Sequence, residues 1–148
     1  MACIYATAPT NRRFLGLIGL SFALIYGTLT SFNYYADLTF VRQGVFDVEV
    51  FNMLNPNSIF WVIEILGYFF MGLSTLFTAF VFTVERLEQA IRWLFIINGV
   101  LGIGGLMGYA LSLSISLLLG GLIIWDIVIP LSTALIAYLF KNKAAKYS

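Results

Sequence analysis

The sequence predicts an all-α integral membrane protein, a four-helix transmembrane bundle with up-down topology in a single domain. Three observations predict it. Of 148 residues, 61% are hydrophobic and only 10% are charged, whereas soluble domains are about half apolar and about a quarter charged. Four apolar stretches are each long enough to cross about 30 Å of hydrocarbon, which takes about 20 helical residues. The positive charges fall in alternate connections, as they do in membrane proteins that cross the bilayer an even number of times.

The first span runs from about Phe14 to Tyr35, behind Arg12 and Arg13. Its apolar stretch is too long for a signal-peptide core, and no small-residue cleavage site follows, so it reads as a retained helix. The loop over 37–57 is the largest polar segment, yet it holds Val45, Phe46, Val48, Val50, Phe51, Met53 and Leu54. Two readings stay open for it: an amphipathic element lying on the headgroups, or a lid over a cavity. The second span covers about 58–84, and Asn55-Pro56-Asn57-Ser58 supplies turn and N-cap chemistry before it. The segment from Glu85 to Arg92 reads as a short helical connector, with Glu88 and Arg92 spaced for an i,i+4 ion pair. The third span covers about 92–111 and the fourth about 120–140. The turn between them lies either in the 112–116 stretch or at Gly120-Gly121, because one continuous helix would be too long for a bilayer. Arg12, Arg13, Arg86, Arg92, Lys141, Lys143 and Lys146 then share one side, against Arg42 alone on the other. This distribution predicts a multi-pass protein of the plasma (inner) membrane with both termini cytoplasmic.

Composition excludes several functions. There is no histidine, which removes the commonest general base and metal ligand together. Cys3 is the sole cysteine, so neither an intramolecular disulfide nor a cysteine metal cluster can form. No span carries a lysine for a Schiff base, and no nucleophile elbow, phosphate loop or zincin motif is present. Gly102, Gly104, Gly105 and Gly108 miss the dinucleotide spacing. A net charge of +1 gives no footprint for nucleic acid. No cofactor and no metal site is expected, and an enzyme is the less favoured class.

Packing signals are clearer. Gly104 and Gly108 are four apart, the close-approach spacing of membrane helices, widened by Gly99, Gly102 and Gly105. That face predicts contact with a neighbouring helix or, alternatively, with a second copy or a larger membrane complex. Asn98 is expected to hydrogen-bond between helices. The first and third spans both open on Arg-aromatic-Leu, and Trp61 and Trp125 each precede an acid, which hints at a weak parallel repeat of two hairpins.

Glu64 and Asp126 are the two intramembrane acids. An acid at mid-bilayer costs about 2.5–3.5 kcal/mol on insertion scales, so such residues are seldom idle. Glu64 lies about 9 Å along its helix from Ser58 at 1.5 Å per residue, and Asp126 falls at a similar depth. The expectation is an outward-facing acidic pocket in which the two acids meet, with Asn33, Tyr34, Arg42 and Tyr109 around them. Pro130, four residues after Asp126, would free a carbonyl there. Such a pocket would bind or move a proton, a cation or a small polar or cationic ligand. The alternatives are an accessory subunit packed through its glycine face and, behind it, a small lipid-modifying enzyme.

Overall fold

The computed structural model describes residues 1–44, 51–53, 55–83, 85–113 and 115–145. Five α-helices account for most of them: α1 (Ala2–Thr7), α2 (Arg13–Ala36), α3 (Ile59–Ala79), α4 (Arg86–Ala110) and α5 (Ile115–Ala145). There is no strand among the described residues. Segments in the last four helices are long and apolar enough to span a membrane. The protein is therefore an all-α, four-helix membrane bundle, with a short N-terminal helix added to it.

Long-range contacts fix which ends lie together. The Arg12 guanidinium donates to the carbonyls of Phe80, at 3.4 Å, and Phe82, at 2.9 Å. Lys143 on α5 reaches Glu88 on α4 at 2.8 Å. The N-terminus, the α3–α4 connection and the end of α5 thus share one end of the bundle, the terminal end. At the opposite, loop end, Trp61 Nε1 donates to the Met53 carbonyl at 2.8 Å and the Tyr109 hydroxyl to the Pro56 carbonyl at 3.1 Å.

Each long helix packs against the next in sequence, α2 on α3, α3 on α4 and α4 on α5, while α2 and α5 have at most marginal contact. Small and polar residues fill the middle seams. Ser74 Oγ donates to the Gly19 carbonyl at 2.7 Å across α2 and α3. Asn98 Nδ2 donates to Thr75 Oγ1 at 2.8 Å across α3 and α4. Ser74, Thr75, Thr78, Asn98 and Ser132 are all buried, while Leu24, Val100, Ile123 and Ile127 are exposed. The pattern follows from the solvent. Lipid tails are as apolar as leucine, so burying leucine gains little, and close packing plus hydrogen bonding hold the helices together.

Large apolar side chains are buried mainly at the two ends. Ile4, Ala79, Val81, Phe82, Ile91, Phe95 and Leu139 form a cluster at the terminal end. Ala36, Phe51 and Phe60 form a smaller one at the loop end. The helix α1, unforeseen from the sequence, lies against α2 at Gly16, where a Cβ would come within 3.2 Å of the Tyr5 backbone.

Three local expectations change. The glycine contact is displaced from Gly104–Gly108: a Cβ on Gly104 or Gly105 would meet nothing within 4 Å. Instead, Gly72 faces Gly99 and Gly102, and a Cβ on Gly102 would lie 2.7 Å from the Tyr68 carbonyl oxygen. Gly108 is buried, and its carbonyl accepts the Leu113 amide at 2.9 Å in the α4–α5 turn. That turn pivots on Ser112, with φ of 52°. It lies at the earlier of the two positions the sequence allowed, and Gly120 and Gly121 continue α5. Ser58 does stand at the N-cap of α3, but its hydroxyl donates to the Asn52 carbonyl at 2.7 Å and caps no helix amide.

Of the apolar loop residues, Val45, Phe46, Val48, Val50 and Leu54 lie outside the described residues, whereas Phe51 is buried against Ala36 and Phe60.

Candidate functional site

Glu64 is the most buried carboxyl among the described residues, at 3% exposure. It faces α2 because Asn33 stands opposite it. Asn33 Nδ2 donates to Glu64 Oε2 at 2.9 Å and also to the Phe60 carbonyl at 3.1 Å. A carbonyl can only accept, so the second bond fixes the orientation of the amide and makes Asn33 a donor to Glu64. The Tyr34 hydroxyl approaches Glu64 Oε1 at 3.4 Å, a long contact. Tyr68, one turn further along α3, brings its hydroxyl near the same carboxyl group. Asn33 Oδ1 is buried with no partner among the described residues, and so is Thr30 Oγ1, one turn earlier on α2.

The site is therefore a carboxyl group surrounded by neutral hydrogen-bonding groups. Among the described residues the one ion pair is Lys143–Glu88, at the other end of the bundle. No three acidic or cysteine side chains there gather into a metal site.

The residues expected around Glu64 divide. Asn33 and Tyr34 join it. Asp126 does not: it is exposed on α5. Successive helical residues are about 100° apart, 3.6 to the turn, and Trp125 takes the inward position, its ring centroid 4.9 Å from that of Tyr68. Asp126 is turned to the outside in consequence. Arg42 is exposed beyond the wide turn at Asp37–Val41. Tyr109 is engaged with Pro56. Pro130 leaves α5 unbroken, and the hydroxyls of Ser132 and Thr133 both donate to the Ile129 carbonyl at 2.9 Å. Tyr68 was missed, although its position four residues after Glu64 puts both on one helix face.

The other buried acid is Glu88 at the terminal end. Instead of pairing with Arg92 it accepts from Lys143, from the Thr83 amide at 2.7 Å and from the Thr83 hydroxyl. Arg92 lies over the ring of Phe80, 5.3 Å from its centroid.

No family model matches this chain, and no curated protein or solved structure is significantly similar to it.

Proposed function

We propose that this membrane protein binds a proton at Glu64, in the half of the bilayer nearer the loop end. The observation that carries this reading is a carboxyl at 3% exposure with neutral partners and, among the described residues, no cation paired with it. Burying an unpaired carboxylate is costly, and protonation is the usual escape. A proton needs no cavity, which suits a side chain enclosed between two helices. Tyr34, bonded to Glu64 and itself 39% exposed, supplies a hydroxyl through which the proton can pass to the surface. Asn33 Oδ1, with no partner among the described residues, adds an acceptor beside the carboxyl group. Asp126 has no part in this site. The cationic residues at the terminal end orient the protein with its termini in the cytoplasm, so Glu64 faces the outer half of a plasma (inner) membrane.

The test is infrared titration of the carboxyl bands in nanodiscs. Wild type should show a carboxyl band that exchanges with bulk deuterium, is absent from Glu64→Gln and is retained in Asp126→Asn. Tyr34→Phe should slow its exchange with deuterium from the bulk. Carboxyls that all titrate near pH 4 would sink the proposal.

A further inference from the structure

A cavity lined by Trp61, Ile65 and Tyr68 of α3 lies between α3, α4 and α5. It holds about 350 Å³, at the lower end of the roughly 300–1,000 Å³ typical of small-molecule sites. We propose that this cavity holds one acyl chain of a bilayer lipid whose headgroup stays at the loop-end interface.

Four observations point to a hydrocarbon chain. Among the described residues no charged side chain lines the cavity. Of the two tyrosines on its wall, Tyr109 spends its hydroxyl on the Pro56 carbonyl, and Tyr68 brings its hydroxyl near Glu64. A ligand's polar group would find few partners among the described residues and would lose hydrogen bonds on entering. The wall also includes Val100 and Leu113, which are 61% and 49% exposed on the apolar flank of the bundle. The cavity is thus continuous with the surface that lipid tails cover, which makes the bilayer itself the source of the occupant. Finally, the space is kept by glycines. A Cβ on Gly104, Gly105 or Gly121 would meet nothing within 4 Å, so no helix backbone closes against them.

The geometry also sets the chain's direction. Pro56 and Tyr109 mark the loop end of the cavity and the Trp61, Tyr68 and Trp125 rings border it. A chain entering from that interface runs along these rings toward the middle of the bilayer, parallel to its neighbours in the lipid.

The experiment uses the full chain with Trp61→Phe and Trp93→Phe, leaving Trp125 as the sole tryptophan. Purified in detergent, it is titrated with a phospholipid brominated on its acyl chain, a contact quencher of indole. Quenching should saturate at one lipid per chain. Gly105→Leu and Gly121→Leu, which fill the cavity, should each abolish the saturable phase. Their melting temperatures in lipid-free detergent should not fall, showing that the fold is intact. Quenching that only rises in proportion to the lipid content of the micelle, in wild type and filled variants alike, would overturn the proposal. So would saturable quenching by a brominated alkane without any by the phospholipid, which would assign the cavity to a free hydrocarbon.

Discussion

At the scale of single residues, the energetics of this protein rest on small side chains and a few hydrogen bonds. Gly102 and Gly104 differ by two positions and should differ sharply in tolerance. Gly102→Ala drives a methyl group against the Tyr68 carbonyl and Gly72, and overpacking of that kind costs about 1–3 kcal/mol. Gly104→Ala meets open space and should be neutral or slightly stabilising, since alanine is the better helix former. Thermal unfolding of the two variants in one detergent checks the contrast, and equal melting temperatures would remove the close-approach argument. Glu88 offers a second case. Lys143→Met leaves the carboxylate at 5% exposure with, among the described residues, only Thr83 to satisfy it, a loss of about 1–3 kcal/mol. Lys143→Arg should recover most of this loss, because the positive charge is kept, and the same unfolding assay distinguishes the two. The acid at position 64 was legible because a carboxyl within an apolar helix stands out. Its true neighbours were less so. Asn33 lies 31 residues away on another helix, and nothing local says that Trp125, rather than Asp126, turns inward. The glycine seam shows the same limit: five glycines in α4 announce a smooth face, but which of them touch α3 depends on where Gly72 falls.

At the scale of elements, the four spans were legible because length and hydropathy are summed over many residues. The ends were not, because they are set by single contacts. The third helix begins at Arg86 and not at about 92, and the fourth begins at Ile115. Ser112 makes the turn in a left-handed conformation where glycine would be the expected residue. The helix α1 escaped the sequence reading altogether, since six residues carry too short a periodic signal. Its role is nonetheless specific. Ile4, 4% exposed, enters the cluster of Ala79, Val81, Phe82, Ile91, Phe95 and Leu139, and Arg13 lies 5.0 Å from the ring centroid of Tyr5. Ile4→Ala should therefore loosen the terminal end by about 2 kcal/mol, the lower range for core truncations. Hydrogen exchange of the amides at 81–83 should accelerate while those of the α3–α4 seam stay protected. A uniform change across all helices, or none, would mean that α1 is not part of that cluster.

At the scale of the whole molecule, the up-down course of the chain puts the N-terminus and the end of α5 at one end of the bundle, and the cationic residues there lead us to propose that this end is cytoplasmic. Cys3 is exposed and is the only cysteine. A membrane-impermeant maleimide should label it in inverted vesicles and not in intact cells. In a Cys3→Ser background, Lys143→Cys should follow the same pattern and Asn57→Cys the opposite one. Labelling of Cys3 from outside the cell would reverse the orientation and place Glu64 in the inner half of the membrane. The serial arrangement of the helices, with α2 and α5 hardly touching, also bears on how the chain comes to be. Every long helix after α2 packs against the helix synthesised just before it. Each can dock as it leaves the translocation machinery, with no early helix held waiting for the last one. Assembly then advances by adding neighbours, and a chain halted after α4 already possesses both central seams. Its missing partner is the wall that α5 provides.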